Sequence, residues 1–130
     1  MTMQKPNKAG KNVIGICDEN WHYYIRYSRI EPNITGKYLF FSEYKEELDK
    51  IAIDELENNG FFIAKINTDE HKKGNDNVLC LYDTDDSRKF ELGKKYKENN
   101  KVRYRYWKSD DDTLKGVYSD KFLKKLWNNI

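Results

Sequence analysis

A chain of 130 residues is the size of one domain and too short for two hydrophobic cores. Charged residues reach 35% and hydrophobic ones 38%, a balance close to that of disordered chains, but 10 Tyr, 6 Phe and 3 Trp supply the buried area that aliphatics lack. The net charge of +2 excludes a uniformly basic protein that wraps nucleic acid, so any phosphate recognition must be local.

The opening stretch, residues 1–12, is rich in Lys, Asn and Gln with one Pro and one Gly, and reads as a flexible leader to a single α+β domain over 13–130. It has no apolar run of signal-peptide length, and no later stretch approaches the ~20 apolar residues of a membrane span. A cytoplasmic location is the expectation. Cys17 and Cys80 stand far apart without metal or redox spacing, which predicts reduced, structural thiols.

From Trp21 to Ser28, Trp21, Tyr23, Ile25 and Tyr27 alternate with His22, Tyr24, Arg26 and Ser28, predicting a half-buried strand. Glu31-Pro32-Asn33 breaks it, and Gly36 opens a second strand over Lys37 to Phe41. Ser42 is the predicted N-cap of a helix whose Tyr44, Leu48, Ile51, Ala52 and Leu56 share a face and which Asn59-Gly60 ends. Strands follow at 61–67 and 78–82, separated by a polar turn over 71–76. A second helix is predicted with Asp83 or Thr84 as its cap and Lys94, Lys95 and Lys97 in its last turn, matching the helix dipole.

Residues 101–108 alternate again, which places Val102, Tyr104 and Tyr106 on one face and Arg103, Arg105 and Trp107 on the other. Ser119 caps a last short helix carrying Phe122, Leu123, Leu126 and Trp127. The predicted order is β-β-α-β-β-α-β-α. It suits one curved, mostly antiparallel or mixed sheet with helices on one face.

No Gly-rich phosphate loop, nucleophile elbow, His-Glu-x-x-His or zinc spacing occurs, so the familiar enzyme classes lack their signatures and neither metal nor cofactor is expected. Three constellations remain. Arg103 and Arg105 beside Trp107 offer guanidinium forks and an indole to a phosphorylated, planar ligand, unless that face is simply solvated. His22 and Arg26 share a face by the period of two, with Lys37 after Gly36; a histidine acid and a lysine base would suit phosphoester chemistry, and a polar rim would suit the same residues. The run Lys108-Ser109-Asp110-Asp111-Asp112-Thr113 lacks calcium-loop spacing and reads as a turn that Lys108 pairs with.

The segment Val78-Leu79-Cys80-Leu81-Tyr82-Asp83 before an acidic helix start, then Tyr106-Trp107-Lys108-Ser109-Asp110-Asp111-Asp112-Thr113-Leu114-Lys115-Gly116-Val117-Tyr118, resembles the basophilic leukaemia-expressed protein family. Arg26 ahead of Pro32 and Gly36-Lys37-Tyr38 agree more loosely, and Trp107 stands where the family has Tyr. Members are labelled phosphothreonine lyase domain proteins and are similar in fold to cap-binding translation initiation factors. The resemblance therefore implies a curved antiparallel sheet with helices on its convex side. The lyase label would assign Lys37 as base, His22 as acid, and Arg26 and Lys108 to a phosphate.

The leading expectation is a small binding module for a nucleotide or oligonucleotide. Arg26, Lys37, Arg103, Arg105 and Lys108 would hold phosphate, and Trp107, Trp21 or Tyr104 would stack on a base. A sponge or inhibitor in phage and host conflict is a setting for such a module. The alternatives are a protein-interaction inhibitor anchored by exposed aromatics and the lyase-like enzyme with His22 and Lys37.

Overall fold

Strand-forming alternation and two apolar helical stripes resolve into one layered unit in the computed structural model, which describes residues 5–26, 33–72 and 74–109. The strands are β1 (Asn7–Lys8), β2 (Val13–Cys17), β3 (Trp21–Arg26), β4 (Gly36–Ser42), β5 (Ile63–Asn67), β6 (Asn77–Asp83) and β7 (Arg103–Ser109). The helices are α1 (Lys45–Asn58), between β4 and β5, and α2 (Lys89–Tyr96), between β6 and β7. All seven strands form one antiparallel sheet in the order β1-β2-β3-β5-β6-β4-β7. The α+β expectation, with helices on one face, is met. The order differs at the start, where β1 and β2 precede the two strands predicted there.

Those two strands correct the reading of the first residues. Asn7 and Lys8, assigned to the leader, pair with Gly15 and Ile14. The tight turn between them is closed by the Ala9 and Gly10 amides, both donating to the Val13 carbonyl. β2 then turns into β3 because the Asp18 carboxylate accepts from the Asn20 and Trp21 amides at 2.8 and 2.7 Å.

Helix α1 forms on its predicted stripe, burying Leu48, Ile51, Ala52, Glu55 and Leu56. It stops where Asn59 donates back to Glu55 and Gly60 takes φ +78°, a conformation glycine adopts without a Cβ penalty. Ser42 is not its cap. The Ser42 hydroxyl accepts from the Tyr44 amide at 2.9 Å and donates to the Lys101 carbonyl at 2.5 Å, pinning the β4–α1 corner to the approach of β7. Nor does Asp83 or Thr84 cap α2, which begins at Lys89 without a side-chain cap. Residues 84–88 are spent in a turn, where Asp85 accepts from the Ser87 amide at 2.9 Å and the buried Tyr38 hydroxyl donates to the Asp85 carbonyl and accepts from the Arg88 amide.

Both helices cover the same sheet face. Tyr24, Tyr38, Phe40, Ala64, Ile66, Leu79 and Leu81 pack there with Leu48, Leu56, Leu92 and Tyr96 of the helices. Edge-to-face rings run through this layer, Phe40 on Tyr96 at 5.2 Å and Tyr38 on Phe61 at 6.1 Å. The other face carries two smaller clusters, Leu39, Ile63, Cys80 and Tyr82, and Ile16, Tyr23 and Ile25, neither of which contains a residue of α1 or α2.

β7 departs from simple alternation. Leu39 pairs with Tyr106 and Phe40 with Tyr104, so Arg105 is an extra residue without a partner on β4, a β-bulge. Tyr104 and Trp107 consequently both reach the helix side, against Phe40 at 5.1 Å and Tyr38 at 4.8 Å. Arg103 and Lys108 lie across from Phe41 and Lys37 on the side opposite α1 and α2. The predicted single face of Arg103, Arg105 and Trp107 does not exist. Gly36 makes room for the indole: a Cβ there would meet Trp107 Cζ2 at 2.4 Å. The turn and helix predicted beyond Ser109 lie outside the described residues.

Candidate functional site

The residues singled out from sequence do not converge on one place. His22, Tyr24 and Arg26 do share a face, and it is the helix-covered one, with the His22 and Tyr24 rings 4.5 Å apart. Lys37 lies on the opposite face, paired with Tyr82 and Lys108. Since β5 and β6 stand between β3 and β4, His22 and Lys37 are separated by three strand spacings, roughly 14 Å, as well as by the thickness of the sheet. An acid–base pair made of these two side chains cannot reach a common substrate atom. Burial also lowers the His22 pKa below its ordinary value, against the weaker pull of Asp49, so the ring is neutral near pH 7.

The intended stacking rings are engaged as well. Trp107 and Tyr104 serve the helix-side core, and Trp21 lies under the Lys65 ammonium, whose Nζ is 3.8 Å from its ring centroid. Arg103 is tied to Asp76 at 2.5 Å. Arg105, at the bulge, is exposed. Lys37, Lys65 and Lys108 stand around Cys80 on the face opposite α1 and α2. Burial raises that thiol's pKa although the three lysines pull it down, so it is protonated and inert near pH 7.

Arg26 belongs to a strongly basic concavity among the described residues. Between β1, β2 and the end of α1 lies an open cleft of about 890 Å³ whose walls include Lys5, Lys8, Lys11 and Arg26, with Glu57 as the only carboxylate among the described residues that line it. Its shape follows from the tight β1–β2 turn. A Cβ on Gly10 would sit 2.7 Å from Glu57 Oε1, so glycine lets α1 approach the turn. Glu57 then accepts from the Asn12 amide at 2.5 Å and from Asn12 Nδ2 at 3.2 Å, which commits both carboxylate oxygens to the turn. Arg26 donates to the Leu56 carbonyl at 3.1 Å, near the electronegative end of α1, and its guanidinium lies 5.4 Å from the Phe62 ring centroid. Only one of its five donors is used by Leu56.

The cleft thus holds three flexible ammonium groups and one anchored fork in a volume suited to a nucleotide-sized anion. Of its four cations, sequence reasoning found only Arg26. Lys5, Lys8 and Lys11 fall at a regular spacing of three, a signal hidden by reading residues 1–12 as a leader. Among the described residues no helix is long and apolar enough to cross a membrane, and no group of three His, Cys, Asp or Glu side chains is placed to hold a metal ion.

Comparison with known proteins returns no match to a family model, to a curated protein or to a solved structure, so the chemistry of the cleft is the guide to function.

Proposed function

We propose that the protein is a binding module for a phosphorylated ligand, a nucleotide or a short oligonucleotide, held in the cleft between β1, β2 and the end of α1. The observation that carries this reading is four cations around a ligand-sized cleft in which the single carboxylate among the described residues is already bonded to Asn12. Arg26 suits bidentate phosphate recognition because its fork is planar and held by Leu56. Lys5, Lys8 and Lys11 add point charges that follow a phosphate chain. The aromatics once assigned to base stacking are elsewhere, which favours recognition of the phosphates over that of the base. A sponge or inhibitor role in phage and host conflict is compatible with such sequence-independent capture, and membership of the basophilic leukaemia-expressed protein family remains our proposal from the motifs at 78–83 and 106–118.

The test is a titration of fluorescently labelled single-stranded DNA and of ATP into the protein and its Lys8→Ala, Lys11→Ala double variant. Both lysines sit on exposed backbone, so the variant keeps its fold. Affinity should fall at least about tenfold at low salt, and the slope of log K against log salt for the DNA should drop by about 1 to 1.5. Equal affinities and slopes for the two proteins would reject the cleft as the site.

A further inference from the structure

At the margin of the sheet opposite the cleft, α2 and β7 enclose a second basic hollow. It is a groove of about 360 Å³ whose walls include Lys97, Arg103 and Arg105, with no carboxylate among the described residues that line it. Regular alternation would put Arg105 on the face opposite Tyr104. As the extra residue of the bulge it joins Tyr104 at the α2 margin instead, the re-aiming of a side chain that bulges supply beside binding sites. Neighbouring cations are engaged, Lys95 with Glu55 and Asp54, Lys101 with Glu47, and Arg103 with Asp76 through one nitrogen. Lys97 and Arg105 are exposed and form no ion pair with a described residue.

Gly93 shapes the same groove. It sits inside α2, where glycine holds a helix less well than alanine. Its φ is not positive, and a Cβ there would rest 3.8 Å from Tyr104 Cε2, an ordinary contact. Neither the backbone nor a close approach therefore calls for glycine. What the missing methyl does is leave the edge of the half-buried Tyr104 ring open to the groove.

We propose that this groove is a second binding site, independent of the cleft, for a small ligand that joins a phosphate group to a planar ring. The Arg105 fork and the unshared nitrogens of Arg103 take the phosphate, and Lys97 adds a point charge. The ring lies over Gly93, against the edge of Tyr104. The carbonyl end of α2 is electronegative, which sets the phosphate on the β7 side and the ring on the helix side. One of those carbonyls, that of Tyr96, is already bonded to the Asn99 amide. The volume lies near the lower end for small-molecule sites and suits a ligand of mononucleotide size rather than a chain.

Phenyl phosphate, a minimal compound with both parts, is the probe, read by two-dimensional proton–nitrogen NMR so that each site reports through its own amides. Saturable shifts are expected at Gly93, Asn99, Tyr104 and Arg105, and phenol at the same concentrations should leave these amides unmoved. A Lys97→Ala, Arg105→Ala variant should lose the shifts, whereas Lys8→Ala, Lys11→Ala should keep them, so the groove and the cleft stand or fall separately. Gly93→Ala should raise the midpoint of urea unfolding and yet weaken phenyl phosphate binding by about tenfold, the effect of one added methyl in a fitted site. A glycine kept for structure alone would give the reverse, a loss of stability. The proposal is overturned by the absence of saturable shifts at these amides in the unsubstituted protein or by their survival in Lys97→Ala, Arg105→Ala. It is equally overturned by a Gly93→Ala chain that is less stable or binds as tightly as before.

Discussion

Removing the Glu55 carboxylate should loosen the joint between the two helices. Glu55 is 1% exposed, and its Oε1 accepts from Lys95 Nζ and from the Tyr96 hydroxyl, both at 2.5 Å, while Oε2 accepts from Asn59 Nδ2 at 2.9 Å. In Glu55→Ala the Tyr96 hydroxyl loses its acceptor inside the core, and burial together with the Glu55 hydrogen bond already pushes its ionisation far upward, so it stays a neutral donor. An orphaned buried donor costs about 1 to 3 kcal/mol. Lys95, with 40% of its side chain exposed, can return to water, so its loss adds less than about 1 kcal/mol. The total, about 1 to 4 kcal/mol, is a large part of a typical domain's stability of about 5 to 15 kcal/mol. Urea unfolding followed by far-UV circular dichroism should show the midpoint falling with an unchanged m-value. Tyr96→Phe should blunt the effect of Glu55→Ala, giving a coupling above about 0.5 kcal/mol in a double-mutant cycle. A loss below about 1 kcal/mol in Glu55→Ala, or no coupling to Tyr96, would refute this account of the joint. Because Leu56 and Glu57 follow directly and hold Arg26 and Asn12, ligand affinity in the cleft should fall in step with stability.

Two further outcomes follow from the same geometry. Gly36→Ala should destabilise the protein by about 1 to 3 kcal/mol in the same unfolding experiment, because the new methyl would meet Trp107 Cζ2 at 2.4 Å and the Lys108 carbonyl at 2.7 Å. Trp107→Leu should recover only part of that loss, since the carbonyl cannot give way. For His22, burial lowers the folded-state pKa below 6.5, so the unfolded chain binds the proton more readily. Its contribution is therefore present above pH 6.5 and lost as the pH falls toward the folded-state value; His22→Gln should flatten the pH dependence of stability in that window, and an unchanged profile would show that the ring is not buried as a neutral group.

What the sequence revealed and what it hid divide along physical lines. The α1 stripe was legible because Leu48, Ile51, Ala52 and Leu56 repeat at the helical period and need no knowledge of their partners. The shared face of His22, Tyr24 and Arg26 was legible for the same reason, being a property of one strand. The placement of Lys37 on the opposite face was not, since parity between strands depends on register and strand order, which only tertiary pairing fixes. Counting by twos along Arg103 to Trp107 failed at one residue, the bulge at Arg105, and that slip moved Trp107 from a supposed ligand face into the core. The cleft was missed because its lysines gain meaning only when β1 folds back on β2 and brings them to Arg26.

That bulge also bears on solubility. The outer margins of the described sheet are β1, only two residues long, and β7, interrupted at Arg105 and carrying Arg103 and the exposed Tyr106. A long, flat, regular margin would invite a neighbouring molecule to add its own strand and seed filaments; one that is short, and another that is kinked and cationic, discourage it. Straightening β7 by deleting Arg105 would remove a guard against self-association while leaving the aromatic core unaltered in composition.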